Sequence, residues 1–177
     1  ARVVAICAQV QAELAGDSTA VVEAANFNDP GQTVISGSKA AVERACEMLK
    51  AGGARRAMLL PVSAPFHCRL MLPAAEKLRT ALESVALQAP AMALINNVDV
   101  AVEVDADRIR DALYRQAFGA VRWVECVRAL KARGISHVVE CGPGKVLAGM
   151  AARIDPELTG LPLFDPATLD AVEAALA

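Results

Sequence analysis

Two short apolar runs on either side of Asn28-Asp-Pro-Gly31 constrain the fold of this chain more than any other feature. Pro presets one turn torsion and Gly tolerates the left-handed region, so these four residues favour a tight reversal. Residues 20–27 and 32–36 therefore read as two antiparallel strands joined by that turn. A helical stripe precedes them (Val3, Ile6, Cys7, Val10 and Leu14, closed at Gly16). A second stripe follows (Val42, Ala45, Cys46 and Leu49, closed at Gly52-Gly53), with Ser38 as its expected N-cap. Residues 55–60 then read as a further strand. The order helix–strand–strand–helix–strand is that of a ferredoxin-like split βαβ unit lacking its opening strand, expected over residues 1–60. The first stripe starts at residue 3 with almost no lead-in, and with the absent strand this gives the expectation of a fragment.

Residues 61–177 alternate in another manner. A stripe of Met71, Ala75, Leu78, Leu82 and Val85 predicts a helix with Pro73 in its first turns, and residues 91–96 predict a short buried strand. The next helix starts at Asp105, with Ile109, Ala112, Leu113 and Gln116 facing inward; another runs from Trp123 to Arg133 and stops at Gly134. A strand over 135–140 feeds Cys141-Gly-Pro-Gly144 and a helix over 145–154. A strand over 161–164 then leads to Asp165-Pro166 and a helix ending at Leu176. Strands alternating with helices indicate α/β organisation with a parallel sheet.

Composition excludes several classes. Apolar residues make up 55 % of the 177, and a net charge of −2 is spread among mixed signs, so neither disorder nor nucleic-acid binding fits. No apolar run reaches the length of a membrane span. The five cysteines are odd in number, scattered and never in a C-x-x-C pair. That pattern argues against a disulfide frame or a zinc site and for reduced thiols in a cytoplasm.

Chemistry concentrates in Pro61-Val-Ser-Ala-Pro-Phe-His-Cys-Arg-Leu-Met71, which holds one of the two histidines at an expected strand-to-helix junction. An imidazole titrates near neutrality, which suits His67 to act as a general base. His137, within an apolar strand, reads as structural. His67-Cys68 is a poor Cys–His pair, since adjacent side chains at a junction usually point apart. Gly142-Pro-Gly-Lys145 fails as a phosphate loop because Val146 stands where a Ser or Thr is required, and its glycine spacing fits no dinucleotide fingerprint. None of the six serines lies in a G-x-S-x-G elbow. Taken alone, the residues supply half of a nucleophile–base pair.

Four stretches together carry a resemblance: Asn26-Phe-Asn-Asp-Pro-Gly-Gln-Thr-Val-Ile-Ser-Gly37, the Pro61–Met71 stretch, Asn96-Asn-Val-Asp99 and Glu140-Cys-Gly-Pro-Gly-Lys-Val-Leu147. In this order along the chain they resemble the bacterial malonyl-CoA:acyl-carrier-protein transacylases of type II fatty acid synthesis. The resemblance implies a serine–histidine acyltransferase: part of an α/β, hydrolase-like domain over residues 61–177 plus the incomplete ferredoxin-like subdomain. It further implies that His67 is the catalytic histidine and that the Gln116 backbone carbonyl holds its imidazole. Phe66 would favour malonyl over branched acyl groups, and Asn26 and Asn28 would border the pocket or, equally, stabilise the hairpin. Coenzyme A thioester and acyl carrier protein are the implied partners of a monomeric cytoplasmic enzyme that uses no cofactor or metal.

The sequence departs from that family in one large respect. The family's G-H-S-x-G elbow, its malonyl-binding arginine and its N-terminal glutamine–glycine loop are absent, so the match is to a C-terminal part and the chain alone is expected to be inactive. The resemblance leaves two other readings, a non-catalytic carrier-protein docking module using Arg55 and Arg56 with Arg69 or Arg122 and the acyltransferase domain of a larger synthase; the residues offer a third, an unrelated Cys–His hydrolase using Cys68.

Overall fold

The structure, a computed structural model, describes all residues from Ala1 to Ala177. Its first half is a hairpin of β1 (Val22–Asp29) and β2 (Gln32–Gly37) with two helices, α1 (Arg2–Glu13) and α2 (Lys39–Ala51), against it. The strands pair antiparallel from Val22↔Gly37 to Asp29↔Gln32, with irregularities at Ala24/Asn26 and Phe27/Asp29. Cys7, Val10, Val22, Ala41 and Ala45 form the buried cluster between these layers. Ala41 and Ala45 lie one turn apart on α2, and their small side chains admit α1 at close range. Ser38 does not cap α2 with its side chain. Its hydroxyl instead accepts from the Val21 amide at 3.2 Å and ties the helix entry to the start of β1.

The second half begins with a single 3₁₀ turn (Arg69–Met71) and α3 (Leu72–Glu83), which packs on α4 (Ala106–Gln116). Asp105 caps α4 by accepting from the Arg108 amide at 2.9 Å. There follow α5 (Trp123–Ala132), β3 (His137–Cys141), α6 (Val146–Ile154), β4 (Thr159–Leu163) and α7 (Pro166–Leu176). β3 and β4 pair in parallel from His137↔Thr159 to Cys141↔Leu163, with α6 as the crossover. Asp165 and Thr168 form a reciprocal capping box at the start of α7. Val124, Val127, Ala151, Ile154 and Leu158 form the second buried cluster, which Phe27 of β1 joins. β1 also exchanges backbone bonds with Val121, from Phe27 N–H at 2.9 Å and to Ala25 O at 2.8 Å. Asp29 of β1 pairs with Arg153 of α6 at 2.9 Å.

Several expected elements differ. Residues 55–60 join no ladder. In a split βαβ unit the closing strand pairs with the opening one, and this chain has no opening strand. Residues 91–96 contribute only a bridge, Ile95↔Val102, because no neighbouring strand is present to extend it. Leu78, Val85 and Leu113, expected to face inward, are exposed. Only 20 of 177 residues are buried, and Met92 (83 % exposed) and Val62 (65 %) stand open beside the unpaired segments. For a chain this size that leaves much apolar surface uncovered.

Candidate functional site

The turn carrying His67 is pinned on both sides. Pro61 to Pro65 form no helix or strand, in keeping with two prolines that remove ladder donors. Cys68 is fully buried, and its thiol donates to Pro65 O at 3.2 Å. Arg69 reaches β1, its amide donating to the Glu23 carboxylate at 3.0 Å and its guanidinium pairing with it at 2.7 Å. A second hydrogen bond joins Arg69 to Gln11 of α1. Between these anchors His67 adopts φ +61°, the left-handed region that a non-glycine residue enters at a cost. The result is a half-buried imidazole held in one orientation at the end of a strained turn.

His67 Nδ1 lies 3.1 Å from the Gln116 carbonyl oxygen. Gln116 ends α4, and the last carbonyls of a helix have no partner within it, so this oxygen is free to accept. An Nδ1–H donated to a carbonyl leaves Nε2 as the unprotonated nitrogen, the one able to take a proton. The Gln116 side chain turns elsewhere, donating to Gly119 O at 3.1 Å. Arg115 beside it pairs with Asp99 through two bonds of 2.6 and 2.8 Å and with Asp111 at 2.7 Å. The Arg115 guanidinium holds the Asp99 carboxyl below the usual carboxylate range. Neither Asp99–Arg115 nor Glu23–Arg69 was expected from the sequence, because ion-pair partners so far apart in the chain leave no spacing signal.

Phe66, half-exposed next to His67, presents its ring to solvent. Asn26 sits on β1 at the bridge to Val121, which brings it to the segment that carries Gln116. Asn28 donates across the hairpin to Gln32 at 3.4 Å, the turn-stabilising arrangement. The structure thus brings His67 and Gln116 into contact and places Asn26 on a strand bonded to the same segment, while Asn28 remains with its turn.

Other candidates resolve differently. The Cys68 thiol is sealed in the core and bonded to a carbonyl, which leaves no open nucleophile there. Glu140 accepts from the Ala148 amide at 2.8 Å, so a carboxylate of the chain itself occupies the start of α6, where a phosphate would bind. His137 is bonded to Ser136 at 2.9 Å. Arg55 and Arg56 are exposed, but Arg69 and Arg122 are engaged with Glu23 and Glu125. No group of three or more His, Cys, Asp or Glu side chains gathers to hold a metal ion.

No family model matches the chain. Among curated proteins it is 52 % identical to the malonyl CoA-acyl carrier protein transacylase of Salmonella typhimurium, over 151 residues that are 85 % of this chain and 49 % of that protein. Among solved structures it matches the acyl-carrier-protein S-malonyltransferase of Burkholderia pseudomallei with a TM-score of 0.91 and 54 % identity, over 97 % of this chain and 54 % of that one. It also matches, at a TM-score of 0.91 and 42 % identity over 98 % of this chain and 54 % of the other, a structure of a type II polyketide acyl-carrier protein in complex with its malonyl-transacylase. The chain spans about half the length of the curated relatives it matches. Over that half, it is a homologue of the malonyl-CoA:acyl-carrier-protein transacylases.

Proposed function

We propose that this chain is the histidine-bearing, C-terminal part of an enzyme that moves a malonyl group from coenzyme A to the phosphopantetheine thiol of an acyl carrier protein. The observation that carries the reading is the His67 imidazole aimed by the Gln116 carbonyl. A serine hydroxyl supplied from outside these residues gives its proton to His67 Nε2 as its oxygen attacks the thioester carbonyl. The imidazolium returns that proton to the departing coenzyme A sulfur, leaving a malonyl-serine ester. The carrier thiol then gives its own proton to Nε2 and attacks the ester, and the serine oxygen leaves with that proton. In both halves the Gln116 carbonyl accepts from Nδ1, as a triad carboxylate would, fixing the tautomer without adding a charge.

Homology to transacylases supports this reading, and the structural match to one complexed with a carrier protein supports the choice of acceptor. Phe66 beside the base is the proposed filter against branched acyl groups, and Asn26 is the proposed border of the acyl pocket. The scheme calls for no cofactor, since the thioester arrives with the substrate. The location we propose is the cytoplasm, where five free thiols persist; no helix is long and apolar enough to cross a membrane.

Because the six serines here lie in no nucleophile elbow, the 177 residues alone are expected to transfer no malonyl group. Removing the nucleophile of such a unit costs on the order of 10⁶ in rate. The test is transfer from malonyl-CoA to carrier protein by the chain alone and by the chain completed with a serine-bearing segment taken from a relative. Turnover only in the completed protein is expected. Turnover by the chain alone, or a completed enzyme indifferent to loss of His67, would overturn the reading.

A further inference from the structure

Asn96-Asn-Val-Asp99 grips the segment whose Gln116 carbonyl meets His67. Asp99 takes the Arg115 guanidinium in a two-pronged pair at 2.6 and 2.8 Å. Arg115 O accepts from Gly119 N–H at 2.7 Å, closing the turn immediately after Gln116. On the far side, Asn97 O accepts from the Arg122 amide at 3.2 Å. Val98 fills the middle: a Cβ on Gly119 would lie 2.9 Å from Val98 Cγ2. Residues 97–99 therefore hold residues 115–122 at both ends and along the centre.

The gripping loop is itself built to one shape. The Asn96 carboxamide accepts from the Asp99 amide at 2.7 Å and donates to Ala101 O at 3.3 Å. Asn96 N–H also donates to Ala101 O, at 3.0 Å, and Val100 N–H donates to Asn96 O at 3.1 Å. Val100 stands at φ +58°, a conformation that a β-branched residue adopts only when its surroundings force it. Strain of this kind collects where geometry serves a purpose. A carbonyl at a helix end is a neutral acceptor with wide angular freedom, and a hydrogen bond weakens steeply as it bends. A bidentate guanidinium–carboxylate pair fixes direction as well as distance.

We propose that Asp99 is a positioning residue for the candidate base: through Arg115 it fixes the direction of the Gln116 carbonyl and so the tautomer of His67. The inference rests on the reading of His67 as the base. A purely structural ion pair would stabilise α4 without setting the state of the imidazole, and that difference can be measured.

The chain has only two histidines, so long-range proton–nitrogen correlation spectra of the ¹⁵N-labelled 177-residue protein report each ring separately. In the unaltered protein, neutral His67 is expected to show one protonated Nδ1 and one bare Nε2. In Asp99→Asn the two nitrogens should move toward each other as the tautomers exchange, while His137 keeps its shifts and shows that the fold persists. Arg115→Lys keeps the charge but loses the fork, and should produce the same loss. A fixed Nδ1–H tautomer in both folded variants would overturn the positioning role alone. Absence of that tautomer in the unaltered protein would overturn the reading of the Gln116–His67 pair and the positioning role with it.

Discussion

The imidazole Nδ1 of His67 lies 3.1 Å from the main-chain oxygen of Gln116, 49 residues further along the chain. Because the acceptor is backbone, the two residues respond differently to substitution. His67→Ala in the protein completed with its serine-bearing part should lower malonyl transfer at least about 10³-fold, the scale of a lost general base. Gln116→Ala keeps the carbonyl and loses only the side-chain bond to Gly119, so the expected loss is under about tenfold. Equal losses in a carrier-protein acylation assay would show that the glutamine side chain does the work.

Glycine is required by close backbone approach at two places, where the β1–β2 pair closes at Gly37 and where β4 passes α6 at Gly160. A Cβ at Gly37 would fall 1.9 Å from Val21 O, and one at Gly160 would fall 2.2 Å from Ala148 O. Since the obstructing atoms are main chain, Gly37→Ala and Gly160→Ala should each cost at least the ~1–3 kcal/mol typical of overpacking. Gly16→Ala, with nothing within 4 Å, should stay within about 0.5 kcal/mol. Urea midpoints of the three variants decide the matter, and equal midpoints would contradict the packing described.

The thiols should react in order of exposure. Cys141 is exposed, whereas Cys7, Cys68 and Cys126 are buried. Burial, reinforced by the Glu23 carboxylate and then by Cys46, pushes the Cys7 thiol up to about 11. At pH 8 about one part in a thousand of it is thiolate, so alkylation there should be slow even when the chain breathes. Peptide mapping after brief iodoacetamide treatment should find Cys141 first and Cys68 unlabelled, and early labelling of Cys68 would reopen the hydrolase reading.

Stability should fall on the acid side. Arg115 holds the Asp99 carboxyl below its ordinary 3.8, and the Thr168 amide does the same for Asp165. Burial alone would raise Asp29, but Arg153 and the Gly31 and Gln32 amides outweigh it and bring it down. A carboxyl lowered in the folded state contributes stability that is present above 3.8 and is lost as pH falls through the folded value. Urea midpoints should therefore decline below about pH 4, and Asp99→Asn should decline less steeply. A midpoint unchanged from about pH 5 to 2 would show these pairs to be energetically idle.

Much of the fold could be read from local pattern. The hairpin at Asn28–Gly31, the caps at Asp105 and Asp165 and the stop at Gly134 all occur in the structure, because each depends on residues within a few positions. Strands 55–60 and 91–96 did not form, because a strand also needs a partner and apolar character cannot supply one. Of the site, His67 was marked by rarity and context, and Gln116 through likeness to known transacylases. Asp99–Arg115, Glu23–Arg69 and the left-handed turns at His67 and Val100 were invisible until the chain was folded.

By itself, then, the sequence determined which segments coil, where they stop and which family the four motifs resemble. Those properties come from torsional preference and short-range capping. Only the tertiary structure decided which carbonyl meets the imidazole, which carboxylate pairs with Arg115 beside it and which thiol is sealed away. These are pairings between residues remote in the chain, and packing selects them.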